Sequence, residues 1–514
     1  MSPSGSPTLR TPQAPPRSPR PRPRTPRLRT ALGVGALTLV AGGAAAWELL
    51  TPREPAPGPP EVKSFHSRPR LDPDVLTRTT PAGAAPARGL APGFVFVAVK
   101  RGPGQDGPMI VDDRGRPVWF RAVGGDRTAT ALQVQRYRGR PVLTWWEGNT
   151  HLGHGHGEYV VMYASYRELA RVRSVASELP DHHEFQLTPR GTALMTLYVE
   201  RRADLSAVGG RRDGTIVESR IQEVDVATGR LVWEWRSADH VPVTEGLTAP
   251  KEDKPHDYFH ANSIEVDRDG DLIVSARNTH AIYKIDRPSG RIVWRLGGSR
   301  SDFAMGPGTR FAFQHDARRR ADGTLSLFDN QATPAKAEES RGLVLRLDRR
   351  RMTARLVRSY PHPDGLLAGA EGNLQTLPNG NVFVSWGPEE RVSEFSRDGR
   401  MLLDLALPEG ADTYQAFRFP WRGRPLARPA VAAHRRGERV TVWASWNGAT
   451  HVRRWRVLAG PSRRALRPIG RPLRRTGFET ALHMRTAARF VAVRAVARDG
   501  RPLRTSRAIR PTGR

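Results

Sequence analysis

The chain has 514 residues, 38% of them hydrophobic, with 49 Gly and 44 Pro, a turn-rich globular composition too long for one ordinary core. It has no cysteine, which excludes disulfides, thiolate metal sites and a cysteine nucleophile. The net charge of +31 sits at the ends: residues 1–30 hold seven Arg and no acid, residues 421–514 hold 24 Arg against Glu438, Glu479 and Asp499, and only about +3 is left for residues 31–420. A nearly neutral middle argues against a nucleic-acid-binding core, so no nucleic-acid partner is expected. The basic ends suit anionic lipid or cell-wall polymer, but 76 Arg against six Lys is the mark of a compositional bias, which is the favoured reading for most of this charge.

In chain order, residues 1–30 form a basic Pro/Arg-rich tail that cannot build a core. Residues 31–50 follow as a transmembrane anchor or signal segment, with an uncharged stretch from Ala31 to Trp47. Arginines before it and Glu48 after it place the N-terminus inside. Ala44-Ala45-Ala46 has the small residues of a cleavage site, so an uncleaved anchor and a cleaved signal both stay open. The expected location is the cell membrane, single-pass with the folded part outside, or the exterior as a secreted protein. Residues 51–90, rich in Pro and Ala, read as a linker.

From about residue 91 to 425, short β-type runs alternate with Gly-containing turns and no long helical period occurs. Four segments share one phrase: HEFQLTPRGTALMTLY from His183, NSIEVDRDGDLIVSAR from Asn262, HDARRRADGTLSLFDN from His315 and GNLQTLPNGNVFVSWG from Gly372. Each reads as strand, tight turn, strand, and further strand pairs such as AIYKIDRPSGRIVWRL follow. Four strands per unit, repeated, is the pattern of a propeller blade. With two less regular units around 92–122 and 130–175, the expectation is an all-β, six-bladed propeller. Residues 426–514 form a basic region in which Val440, Val442, Ala444 and Trp446 alternate with Thr441, Trp443 and Ser445. That period predicts a small C-terminal β-sandwich of fibronectin or immunoglobulin type.

The hairpins carry a functional expectation. If Arg190-Gly191, Asp269-Gly270, Asp322-Gly323 and Asn379-Gly380 are two-residue turns, His183 faces Tyr198, Asn262 faces Arg277, His315 faces Asn330 and Gly372 faces Gly387. All four pairs then lie at the end away from the turn, and the first strands of successive blades bring them into one funnel. His260 joins them, two residues before Asn262. A single polar residue at a strand start more often satisfies loop backbone. Three His, an Arg and two Asn at matched repeat positions, differing from blade to blade, point to a specialised site.

Other signals carry less. His151, His154 and His156 have metal-like spacing, but interleaved glycines and one nearby Glu158 favour a loop at the funnel mouth, and no metal is expected. Trp119, Trp233 and Trp294 read as locks between blades. Asp225 and Asp286 read as turn formers.

The phrases DHHEFQLTPRGTAL, DYFHANSIEVDRDGDLIVSARNTHAIYKID, FQHDARRRADGTLSLFDN and VTVWASWNGAT resemble the bacterial arylsulfate sulfotransferase family in its actinobacterial-type branch, over about residues 90 to 460. The resemblance implies a six-bladed propeller that moves a sulfuryl group from an aryl sulfate to a phenolic acceptor through a sulfohistidine, with no nucleotide donor and no cofactor. It implies His315 as nucleophile, with His183, His260 and Arg277 in catalysis and Asn262 beside them. Asn330 and Tyr198, from the hairpin pairing, complete the set as substrate-binding residues. The competing class is an exported, non-catalytic propeller that binds an anionic glycan or protein partner in the same funnel. A quinoprotein oxidoreductase ranks last, for want of a carboxylate set to hold its metal.

Overall fold

The computed structural model describes residues 62–79, 89–151, 153–175, 178–331 and 336–513. The expected tail, the 31–50 segment and most of the Pro/Ala linker lie outside them. Among the described residues no helix is long and apolar enough to cross a membrane. The fold is nearly all β.

Residues 91–420 form six sheets, each with four antiparallel strands at its heart. The second runs Thr128–Tyr137, Arg140–His151, His154–Tyr163, Glu168–Val172, and the next four repeat the plan with leading strands Phe185–Leu187, Ala261–Val266, His315–Arg319 and Asn373–Thr376. The first sheet is closed by the chain's return: Ala416–Phe419 pairs with Phe94–Val99 ahead of Gly107–Val111 and Pro117–Phe120. Each leading strand touches the next, and the last touches the first, so the six make a closed ring.

Side chains stitch that ring together. Gln135 donates to Phe185 O at 2.9 Å and accepts from Leu187 N–H at 2.8 Å. Glu184 accepts from Ile264 N–H, Ser263 from Ala317 N–H, Asp316 from Leu374 N–H, and Asn373 and Gln375 from Ala416 and Arg418 N–H. Ring strands leave backbone groups facing an axis with no further strand, and these bonds satisfy them. Apolar contacts between the sheets add to these bonds. Trp119 and Trp145 meet edge to face at 6.0 Å across the first and second sheets, and Trp294 is buried against Phe303. Trp233 lies under the Arg287 guanidinium from beyond the fourth sheet's third strand. Asp225 and Asp286 cap their turns, accepting from Thr228 and Ser289 N–H.

The hairpin register differs from the expected one. The turns are three-residue loops: Thr188 N–H bonds Thr192 O and Gly191 N–H bonds Thr188 O, and the same pair of bonds recurs around Gly270, Gly323 and Gly380. These glycines have φ of +83°, +89°, +84° and +88°, the left-handed residue that ends a three-residue loop. Pairing therefore runs Phe185 with Met195, Ser263 with Ser275 and Asn373 with Ser385, one residue from the expected partners. Bulges next to Asn262 and Asp316 shift it again, and His315 pairs with Phe328 rather than Asn330.

Residues 430–505 form two more sheets over one core. Ala430–Arg436, Arg439–Ser445 and Glu479–Arg485 make the first, and Arg467–Arg474, Arg454–Gly460, Phe490–Val496 and Pro502–Thr505 the second. Val440, Val442, Ala444 and Trp446 pack there with Trp455, Val457, Val491 and Val493. The expected linker needs a correction: its described residues 62–79 are folded. Phe65 lies on Phe478 with ring centroids 4.3 Å apart, Leu76 is buried, and Thr77–Thr79 adds an edge strand to Met401–Ala406. Phe65, Leu71 and Leu76 supply apolar surface that the segment's Pro/Ala average hides.

Candidate active site

At the end of the ring away from the tight turns, His315 opens the leading strand of the fifth sheet, and His260 and His183 lie one and two residues before those of the fourth and third. All three side chains are buried. His260 itself has φ of +59° and Asp316, next to His315, +57°, so a left-handed residue re-aims the chain at two of the three histidines.

Each imidazole is held at Nδ1. His183 Nδ1 meets the Asp181 carboxylate, whose Oδ1 also accepts His183 N–H at 2.8 Å. His260 Nδ1 meets Asp257. His315 Nδ1 lies 2.8 Å from Asn330 Oδ1. The Asn330 amide donates to Ala368 O and Glu371 O at 3.2 and 3.0 Å, so its oxygen faces the imidazole and must accept. His315 is thereby fixed as the Nδ1–H tautomer with a lone pair on Nε2. The Nε2 atoms of His183 and His260 lie 3.1 Å apart.

The remaining expected residues surround these three. Arg277 donates to Asn278 Oδ1 at 2.9 Å and Gly369 O at 3.3 Å, with its guanidinium over the Phe313 ring. Among the described residues no carboxylate forms an ion pair with it. Arg318, by contrast, is consumed by Glu184 and Asp316 nearer the turns. Asn262 donates to Gln314 O at 2.7 Å, clamping the residue before His315, and its buried Oδ1 has no hydrogen-bond partner among the described residues. The Tyr198 hydroxyl donates to Ala261 O at 2.7 Å, so its ring, not its oxygen, faces His183 and His260.

Five further residues belong to the cluster. Asp181 and Asp257 are the Nδ1 partners, two and three positions before their histidines. His182 stacks on His183 at 4.2 Å, and Tyr414, on the connection into the closing strand, stands edge-on to His182, His183 and His315. His154 belongs to a strand, not a loop; its Nε2 is 3.1 Å from Asp257 Oδ2 and its ring stacks on Tyr198. His154, Asp257 and Arg277 are only partly buried and form the open side of the cluster. His154, Asp257 and His260, and likewise Asp181, His182 and His183, bring donor atoms within 4.8 Å, close enough to hold a metal ion.

Burial sets the protonation. It drives His315 and His260 well below the usual imidazole value, helped by the Arg277 charge, and lowers His183 against the pull of Asp181. Burial lifts Asp257 to about 6. It opposes ionisation of Asp181 too, but there the neighbouring His183 and His182 rings outweigh it and hold the carboxyl well below its normal range. The site thus offers neutral imidazoles, one firm carboxylate and one that titrates near pH 6, under a guanidinium.

The arylsulfotransferase (ASST) family model matches residues 133–407, which include all seven expected site residues. The chain belongs to the arylsulfotransferase family. The family's activity, transfer of a sulfuryl group, fits a cluster of neutral imidazoles beside a permanent cation. No curated protein matches the chain. Similar solved structures include a protein of unknown function from Bacteroides caccae, at 13% identity over 64% of this chain and 100% of that one, with a TM-score of 0.40. A catalytically inactive virginiamycin B lyase from Staphylococcus aureus with quinupristin matches at 10% identity over 73% and 96%, TM-score 0.33. Hydrazine synthase from Kuenenia stuttgartiensis matches at 13% identity over 61% and 74%, TM-score 0.29.

Proposed function

We propose that this arylsulfotransferase is a six-bladed propeller enzyme that moves a sulfuryl group from an aryl sulfate to a phenol in two steps through His315. The closed ring of leading strands supports the blade count, and the shared core of the last two sheets supports a fibronectin-like sandwich after it. The observation that carries the mechanism is the Asn330 anchor, which leaves the His315 Nε2 lone pair as the free, nucleophilic end of a neutral imidazole.

In the first step that lone pair attacks sulfur, the N–S bond forms and the ester S–O bond breaks with its electron pair leaving on the phenolate. The phenolate takes a proton from the His183–His260 pair. In the second step the same pair accepts the proton of the incoming phenol, whose oxygen attacks sulfur while the N–S electrons return to His315. Negative charge on the sulfuryl oxygens is met by Arg277, whose planar fork stays charged throughout. The Asp181 carboxylate steadies His183 when it carries the extra proton.

We also read the arginines before the uncharged Ala31–Trp47 stretch as an export signal or anchor that places the propeller outside the membrane. Fractionation of cells expressing the full chain tests this. The catalytic reading is tested by purified protein with 4-nitrophenyl sulfate: nitrophenol release that depends on an added phenol supports transfer. Aryl sulfate binding with no turnover under any acceptor contradicts it.

A further inference from the structure

The charge of the C-terminal module has no internal counterpart. Trp455 and Val457 point into the core, so Arg454 and Arg456 on the same strand point out. Each has one arginine as a register partner: Arg454 pairs with Arg474 on one neighbour, and with Val496 on the other, where Arg456 pairs with Arg494. Directly opposed residues share a face, and opposed like charges repel. Three more guanidiniums, of Arg463, Arg489 and Arg510, gather on the single ring of Phe490 at the edge of that sheet, 5.7, 5.9 and 5.3 Å from its centroid.

Among the described residues no carboxylate lies within 4.0 Å of any of these seven guanidiniums; the sheet's one acid, Asp499, sits in a hairpin turn beside Arg501. Compositional bias does not account for this. The same arginine preference runs through residues 31–420, yet acids balance it there to about +3. What sets the module apart is the loss of its acids. A fold that tolerates rows of facing, unpaired guanidiniums is suited to anions supplied from outside.

We propose that the outer face of this four-stranded sheet binds a linear polyanion whose phosphate or sulfate groups repeat along the chain. The rows are open and extended, about 4.8 Å apart across strands and roughly 6.7 Å between same-face residues along one, which suits repeating charges rather than one enclosed anion. A membrane surface suits it less. Interfacial binding buries apolar side chains, and Leu426 is the one large exposed apolar residue recorded in the described part of this module.

The test uses the full-length protein with fluorescein-labelled polyphosphate and anisotropy. Neutralising four arginines releases condensed counterions, so affinity should fall about 50-fold between roughly 50 and 200 mM salt. The R454Q/R456Q/R474Q/R494Q protein should bind at least tenfold more weakly, with aryl sulfate turnover unchanged. Polyphosphate should also raise the melting temperature of the unaltered chain, which checks the proposal even if the variant folds poorly. Equal binding by variant and parent, affinity indifferent to salt, or binding to phosphatidylglycerol vesicles but not to polyphosphate would each overturn it.

Discussion

The Nε2 atoms of His183 and His260 lie 3.1 Å apart across 77 residues of sequence, each imidazole holding a carboxylate at its other nitrogen. Two lone pairs cannot face each other at that distance, so one ring presents Nε2–H to the other, as a neutral tautomer can. The two dyads are not equivalent. Asp181 stays ionised over the working range, whereas Asp257 titrates near 6.

That difference predicts a pH limb. An ionised Asp257 stabilises His260 when it takes the acceptor's proton, so kcat/KM should rise with pH through about 6. Asp257→Asn should lower kcat and remove that limb. A limb unchanged in Asp257→Asn would assign it elsewhere.

Removing the proton carriers should slow chemistry without abolishing it. His183→Ala and His260→Ala are each expected to lose roughly 10²–10⁴-fold in kcat. The double variant should lose little more than either single one, because the two imidazoles act as a unit. Fully multiplicative losses in steady-state assays would mean that they act separately.

Stability should fall in mild acid. His183, His260 and His315 have folded pKa values below 6.5, so below that pH the unfolded chain takes up protons that the fold refuses. Above 6.5 neither state is protonated there and the effect vanishes. Each histidine contributes a slope of up to about 1.4 kcal/mol per pH unit, while Asp257, raised to about 6, opposes it with the reverse sign between about 4 and 6. Melting temperatures should therefore drop between pH 6.5 and 5, less steeply in His315→Asn. A flat profile would mean that the site is hydrated.

Two glycines separate backbone strain from packing. A Cβ on Gly270, at φ +89°, meets nothing within 4 Å, so Gly270→Ala should cost only the left-handed penalty, about 1–2 kcal/mol. At Gly372, φ +88°, the same Cβ lies 2.6 Å from the buried Phe328 ring. Gly372→Ala should therefore be clearly the more destabilising in urea unfolding, and equal costs would contradict the packing at Phe328.

The gathering of His183, His260 and His315 was legible because strand starts repeat, but the register was not. Asp-Gly and Asn-Gly suit a two-residue turn and equally the end of a three-residue loop. Pro189 and Pro378 held the missing signal: a two-residue hairpin needs an N–H from the residue just before its turn, and proline has none. The one-residue slip left the cluster intact because all four hairpins share it, and because bulges at Asn262 and Asp316 reset the chain beside the histidines. Asp181 and Asp257 could have been found from their short spacing to a histidine. Tyr414 could not, since it arrives on a connection outside the repeat. The glycines around His154 suggest a loop, but Gly148, Gly155 and Gly157 leave the Trp146 ring room in a long hairpin.

The most direct test of the mechanism is the covalent state of His315. Protein held with excess aryl sulfate and no acceptor, then analysed by intact mass without acid, should carry one sulfuryl group, and peptide mapping should place it on His315. His315→Ala should carry none and turn over nothing, while His183→Ala still becomes labelled, more slowly. A label on another residue, or parental turnover in His315→Ala, would contradict the account.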